Sequence, residues 1–272
     1  MEKFIFTPKI ILSVIILLIL MYYLSILAQF KNETMNLKLW LDHYIWQGVQ
    51  HFYLIDNEST DNPMSILNDY IKRGLVSYFY RPEKASQVKN YREIFAKHIW
   101  KQSYWLAVVD LDEFLYGVDH KLVVKLKTLE YYNLIYCNWF VYGTSGCIKH
   151  PEDIRLSNIH RMPNIDPVNT KYIFKPLSVI HPSQLWIHWL VYPHSNTKIT
   201  NGNKIRTANN LIRINHYVCQ SEEFFTKVKS VRGDASHTGN KWTRELFNQH
   251  NKPATFIDET LKNIILNPPE NY

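Results

Sequence analysis

The sequence predicts an α/β protein built on a mostly parallel, doubly wound sheet flanked by helices. Strand and helix patterns alternate as β-α-β-α-β-α-β over residues 23–110, and the connections between them are short. The run Trp105-Leu106-Ala107-Val108-Val109 is apolar throughout, as a central strand buried on both faces must be.

Each element has its own signal. Residues 23–29 read as a first buried strand ending in polar Lys31-Asn32-Glu33. Leu37, Trp40, Leu41, Tyr44 and Ile45 then recur at helical spacing, with Gly48 placed to end the helix. Phe52-Tyr53-Leu54-Ile55 is a second strand. Ser59-Thr60-Asp61 caps a helix that has Pro63 in its first turn and Gly74 past its end. Residues 76–80 form a third strand, and residues 88–102 a helix with Tyr91, Ile94, Phe95, His98 and Ile99 on one face. Beyond Trp105 lie a helix near 121–131, a strand near 134–142, an irregular stretch over 143–210, a strand at 211–215 and a helix at 221–232. The globular domain is expected over residues 23–250, with residues 251–272 as a polar tail.

The start of the chain differs. Residues 10–28 are 19 residues without a charge, and about 20 suffice to cross a bilayer as a helix. Lys3 and Lys9 precede them, which favours a cytoplasmic N-terminus, and no small-x-small cleavage site closes the run. Residues 1–22 are therefore expected to form a hydrophobic N-terminal helix and single-pass membrane anchor. If residues 23–29 belong to the sheet, the apolar run left for the bilayer is short. The alternative is a hydrophobic helix packed on its own domain.

Composition narrows the class. Of 272 residues, 46% are hydrophobic and 14% aromatic, enough apolar surface to exclude a disordered or collagen-like chain. Cys137, Cys147 and Cys219 are an odd number in a chain large enough to build its own core, so they read as buried thiols rather than a disulfide scaffold. A net charge of +7 suits phosphate-bearing ligands or an anionic membrane surface; no nucleic-acid partner is expected.

In an open parallel sheet, ligands bind beyond the carboxyl ends of the strands. Those ends here deliver Lys31-Asn32-Glu33, Asp56-Asn57, Arg81 and Asp110-Leu111-Asp112-Glu113. The last group is the sharpest signal. Residues i and i+2 of an extended segment face the same way, so Asp110 and Asp112 present two carboxylates together. Such a pair repels unless a cation or a proton lies between. A hard divalent ion, Mg²⁺ or Mn²⁺, uses one or two carboxylates together with phosphate oxygens. The alternative is a helix N-terminus capped by Asp112 and Glu113. On the metal reading, Asp112→Asn relieves repulsion and leaves folding intact. A phosphohydrolase Asp-x-Asp-x-Thr/Val motif fits poorly because Phe114 holds the fifth position, and an EF-hand loop fails because Leu115 stands where Gly is needed.

Several segments, in order, resemble the family 2-like and family 92 glycosyltransferases. They are Phe30-Lys31-Asn32-Glu33, Trp40-Leu41-x-His43-Tyr44, Gly48-Val49-x-His51-Phe52-Tyr53 and Asp56-Asn57-x-Ser59-Thr60-Asp61. Asp110-Leu111-Asp112-Glu113-Phe114-Leu115 matches an Asp-x-Asp-Glu-Phe element, and Trp139-x-x-Tyr142-Gly143-x-Ser145-Gly146 a Trp-x-x-Phe-Gly-x-Ser-Gly segment with Tyr142 for Phe. Asn215-His216-Tyr217, Ser221-x-Glu223-Phe224-x-x-Lys227 and Arg232-Gly233 resemble the C-terminal signature.

The resemblance implies a GT-A (Rossmann-like) fold and a hexosyltransferase-like enzyme. Such an enzyme moves a sugar from a nucleotide-sugar to an acceptor glycan with inversion, often galactose from a uridine diphosphate donor in the family 92 branch. It implies Mn²⁺ or Mg²⁺ on Asp110 and Asp112 with His216 as third ligand, His188 being a rival. Lys31, Asn32, Glu33 and Asp56 would bind base and ribose, and Lys227 and Arg232 the phosphates. Trp139, Gly143, Ser145 and Gly146 would border the acceptor. An inverting transfer needs a base, and Glu152, Asp153 and Asp166 are candidates without a distinguishing motif. A non-catalytic membrane-tethered nucleotide-sugar-binding protein and a metal-dependent phosphohydrolase are the competing readings. Two sequons, at Asn32 and Asn57, lie on the proposed nucleotide rim, so either folding hides them or the domain never meets the glycosylation machinery, and they are no guide to topology.

Overall fold

The computed structural model describes residues 21–200, 202–233, 242–270 and 272. The expected N-terminal hydrophobic helix lies outside the described residues. Among those described, no helix is long and apolar enough to cross a membrane.

The alternation over the first part of the chain appears as read. Strand β1 (Tyr22–Phe30) leads to helix α1 (Thr34–Trp46), β2 (His51–Asp56), α2 (Met64–Lys72), β3 (Val76–Tyr80), α3 (Gln87–Ile94) and β4 (Ser103–Val108). These strands lie in the order β3-β2-β1-β4, all parallel. β1 is central and buried on both faces, which explains its unbroken hydrophobic run. Leu24, Ile26, Ala28 and Phe30 pack with Leu37, Trp40, Leu41 and Tyr44 of α1. Leu27 faces the other way and packs with Tyr91, Ile94 and Phe95 on the α3 side. Gly48 follows α1 at φ +91°, and a Cβ there would meet Val123 Cγ1 at 2.4 Å, so the turn needs glycine.

The second half completes the sheet with mixed pairing. Its strands are β5 (Glu113–Gly117), β6 (Leu134–Val141), β8 (Thr170–Phe174), β9 (Ile205–Thr207) and β10 (Ile212–His216), with α4 (Leu122–Thr128) between β5 and β6. The order continues β4-β8-β6-β10-β5, and β9 pairs with β6. β8 is antiparallel to both β4 and β6, and β5 is antiparallel to β10. The mixed α/β sheet is thus parallel in its first half and interrupted by antiparallel insertions in its second.

Two expectations are corrected. Asp112 and Glu113 do not cap a helix, because Glu113 opens β5, whose Phe114, Leu115 and Tyr116 are fully buried. Residues 251–272 are more than a polar tail. After α5 (Ile154–Ser157), β7 (His160–Arg161), α6 (Glu222–Phe224) and α7 (Arg244–Asn251), the chain adds β11 (Phe256–Ile257) against β7 and helix α8 (Thr260–Leu266). Leu261 and Ile264 of α8 enter the main core at i, i+3 spacing.

Candidate active site

The carboxyl ends of β1 and β4 and the end of β10 open onto one cavity. Its wall includes Gln29, Lys31, Glu33, Gln87, Asp110, Asp112, Trp139, His188, His216, Lys229, Arg232 and Trp242.

The Asp110–Glu113 turn is held from below. Trp40 Nε1 donates to the carbonyls of Asp110 and Glu113, both at 3.1 Å. Tyr44 Oη donates to the Glu113 carbonyl at 3.0 Å and accepts from Leu115 N at 2.9 Å. Inside the turn, Asp110 N donates to Glu113 Oε2 at 2.8 Å. The Trp40 and Tyr44 side chains of α1 thereby fix the backbone that aims the two aspartates. His216 reaches the same point because its strand pairs it with Glu113, and Tyr217 N donates to the Asp112 carbonyl at 2.8 Å.

Each acidic group in the wall has a cation. Asp110 Oδ2 accepts from Lys171 Nζ at 2.7 Å, and Lys171 stands 3.5 Å from Glu113 Oε2. Asp112 Oδ2 accepts from Lys229 Nζ at 2.7 Å, and its Oδ1 lies 3.5 Å from His216 Nε2. Glu33 is paired with Arg232, which also donates to the Lys31 carbonyl at 3.2 Å. Lys31 meets Glu58 at 3.0 Å. Burial pushes Asp112 up, but Lys229 and His216 outweigh it and hold the carboxyl well below its usual range. Burial wins at Glu113, whose carboxyl stays well above the usual range despite Lys171. Burial likewise raises Glu33 against the pull of Arg232. Burial pulls Lys171 down, and Asp110 and Glu113 more than reverse this.

The structure sorts the residues expected from sequence. Asp110, Asp112, Lys31, Glu33, Trp139, His188, His216 and Arg232 meet at the cavity. Asn32 and Asp56 instead build the rim from behind. Asn32, at φ +53°, accepts through Oδ1 from Thr60 N at 2.7 Å. The Asp56 carboxylate accepts from Ser59 N and from Tyr78 Oη, both at 2.8 Å. Lys227 is exposed to solvent and pairs with Glu223 at 2.7 Å; Lys229 takes the place expected of it. Gly143, Ser145 and Gly146 also stay out of the cavity wall. A Cβ on Gly143 would meet Asn251 Oδ1 at 2.7 Å, and Ser145 Oγ accepts from His160 N at 2.8 Å, so this loop is tied to α7 and β7. Asp153 caps α5 and pairs with Arg155, and Asp166 accepts from Val168 N and Asn169 N; neither of them nor Glu152 lines the cavity. The Asn57 sequon is hidden: Asn57 is 4% exposed and donates to the carbonyls of Arg81 and Glu83.

Sequence reading missed Lys171, Lys229 and Gln29. Lys171 did leave a signal, as a lone charge inside the apolar run Thr170-Lys171-Tyr172-Ile173-Phe174. Lys229 left none. Its segment Phe225–Lys229 is wound as a π-helix, with Ser230 N donating to the Phe225 carbonyl, and this changes which side chains point inward.

Aromatic rings line one side. Trp139 contacts His216 and His188 with ring centroids 4.2 and 5.2 Å apart. Lys229 Nζ lies 4.3 Å from the Trp242 centroid. Planar apolar faces beside hydrogen-bonding groups suit a sugar ring.

The profile of glycosyltransferase family 92 matches residues 22–265, nearly the whole of the described chain. The chain belongs to glycosyltransferase family 92. No curated protein matches it. Among solved structures, S. aureus TarS 1–349 is similar at 11% identity over 91% of this chain and 73% of that one, with a TM-score of 0.46. TarS 1–349 in complex with UDP matches at 12% identity over 57% and 47% of the two chains, with a TM-score of 0.39. The complex of the same protein with UDP-GlcNAc matches at 12% over 57% and 45%, with a TM-score of 0.40. The chain thus spans about half the length of the TarS chain in the UDP complex.

A mutation pair checks the exchange of lysines. Lys227→Ala is expected to leave transfer within about twofold, as for a solvated surface ion pair. Lys229→Ala is expected to lower it at least tenfold, because it strips the cation from Asp112 at the cavity. Steady-state turnover of the two variants decides.

Proposed function

We propose that this family 92 enzyme transfers a sugar from a nucleotide-sugar, of uridine diphosphate, to a glycan or glycoconjugate acceptor with inversion, using a divalent metal. The observation that carries this reading is the charge balance of the cavity. Each cation named above, in the wall or just behind it, is already matched: Lys31 to Glu58, Lys171 to Asp110, Lys229 to Asp112 and Arg232 to Glu33. A diphosphate entering this site brings negative charge that the wall does not offset. A divalent cation entering with it restores the balance.

The donor set suits such an ion. Asp110 and Asp112 each keep one oxygen without a close cation, since Asp110 Oδ1 has only Gln87 at 3.5 Å and Asp112 Oδ1 only His216 at 3.5 Å. His216 Nδ1 is buried without a hydrogen-bond partner among the described residues. Three such side chains do not converge on one point among the described residues. One or two carboxylates completed by phosphate oxygens are a hard site of the Mg²⁺ or Mn²⁺ type, so Asp110 and Asp112 with the diphosphate would hold the ion, and metal affinity should depend on the nucleotide. When bound, the metal would neutralise the departing diphosphate.

The chain's own groups do the rest. Trp40 and Tyr44 hold the aspartate turn rigid. Lys229 and Arg232 hold the Asp112 and Glu33 carboxylates in place as their counter-ions, and Trp139 presents an aromatic face for a sugar. The segment before Tyr22 would hold the enzyme to a membrane, and alkaline carbonate extraction of membranes carrying the full chain tests this.

Isothermal titration with UDP in the presence of Mn²⁺ tests the donor side. Binding is expected to tighten at least tenfold over UDP with chelator, because the wall alone is charge-matched. No binding by UDP or any other nucleoside diphosphate in Mn²⁺ overturns the reading.

A further inference from the structure

We infer that Gln29 positions the donor substrate by giving a side-chain N–H hydrogen bond to an oxygen of its nucleotide part. The inference rests on the nucleotide-sugar reading and names a contact within that site.

Gln29 is the next-to-last residue of β1 and is 4% exposed. It lines the cavity beside Gln87 and Asp110. The orientation of its amide follows from a chain of hydrogen bonds with one possible direction. The Glu83 carbonyl can only accept, and Ser86 Oγ donates to it at 2.6 Å. With its hydrogen spent, Ser86 Oγ must accept from Asn90 Nδ2, at 2.9 Å. The Asn90 amide therefore turns its nitrogen this way, and its second hydrogen goes to Gln29 Oε1, also at 2.9 Å. Gln29 is left with its oxygen satisfied and its nitrogen pointing away from Asn90.

That Nε2 is buried and has no hydrogen-bond partner among the described residues. A buried N–H without an acceptor costs stability, and folded proteins seldom keep one without a use. A leucine or methionine at this position would fill the space without that cost. The relay from Glu83 through Ser86 and Asn90 does the reverse and fixes the donor in place. An oxygen acceptor supplied by the substrate satisfies it. The acceptor is either an oxygen of the nucleoside or one of the phosphates.

Titration calorimetry of the full chain with uridine, UMP and UDP, all in Mn²⁺, tests the contact. Gln29→Glu keeps the oxygen that Asn90 needs and replaces the donor by a second oxygen. Gln29→Met removes the amide at similar volume. Both are expected to weaken UDP at least tenfold, with Glu the weaker because its charge opposes the phosphates. Weakening that already appears with uridine assigns the contact to the nucleoside, and weakening that first appears with UMP or UDP assigns it to phosphate. The binding stoichiometry separates misfolding from lost contact, because a misfolded fraction lowers the stoichiometry and leaves Kd unchanged. Wild-type Kd for all three ligands in both variants overturns the inference. A wild-type chain that binds none of the three overturns the nucleotide-sugar reading itself, and the inference with it.

Discussion

Asp112→Asn is expected to lower sugar transfer by two or more orders of magnitude and to lower the thermal midpoint as well. The catalytic loss follows from removing one charge at the leaving-group site: a metal there contributes several kcal/mol to the transition state, and about 1.4 kcal/mol is tenfold in rate. The stability loss reverses the expectation from sequence alone, where two adjacent carboxylates repel and their relief leaves folding intact. In the structure Asp112 is the counter-ion of Lys229, itself 2% exposed. Removing the charge leaves a buried ammonium with the Val218 carbonyl, the Trp242 ring face and the neutral Asn, and no carboxylate in contact. Breaking a buried pair costs about 3–5 kcal/mol, with the retained amide oxygen keeping the loss near the lower end. At about 2–4 °C per kcal/mol for a chain of this size, the midpoint drops by about 6–12 °C. Turnover and midpoint measured on one preparation check both halves. A fully active, metal-independent Asp112→Asn enzyme would falsify the assignment of this carboxylate.

Lys171→Met is expected to cost still more stability. Lys171 is fully buried, and it is the cation for Asp110 and Glu113 together. Its removal leaves Asp110, at the cavity edge, and the buried Glu113 without their cation, at a cost of about 3–5 kcal/mol. The cost is electrostatic, so it should be recoverable. Burial already pushes Glu113 toward its neutral form, so Asp110 is the charge that Lys171 chiefly offsets, and Asp110→Asn in the Lys171→Met background removes it. The double variant is expected to regain at least half of the lost midpoint. Additive loss in the double variant would mean that Lys171 acts through packing rather than charge.

The parallel half of the fold was legible because its signals are local. The apolar strands, the helical spacing of α1 and the glycine after it all lie within short windows. The Asp110–Glu113 turn was legible for the same reason. β5 was not, since Glu113 opens a strand of five residues whose pairing with β10 lies about a hundred residues along the chain. Its burial also converts Asp112 and Glu113 from apparent helix caps into members of a buried charge cluster. The cations of that cluster were illegible for a related reason. Lys171 reaches Asp110 only because β8 inserts antiparallel beside β4. Lys229, rather than Lys227, turns inward because its segment is a π-helix, a winding that no apolar periodicity announces. The rim residues Asn32 and Asp56 lie at strand ends as read, while the hydrogen bonds their oxygens accept from backbone N–H groups of the 59–60 turn depend on a loop conformation that strand patterns do not announce.

The direction of β1 has a consequence for reach. The strand starts at Tyr22 on the far edge of the sheet and ends at Phe30 beside the cavity. Its nine residues, at about 3.3 Å each, separate the two by about 30 Å. A tether attached ahead of Tyr22 therefore holds the domain by the end opposite its mouth. On the proposed membrane reading, the mouth would lie on the side of the domain away from its point of attachment, about one strand length from it.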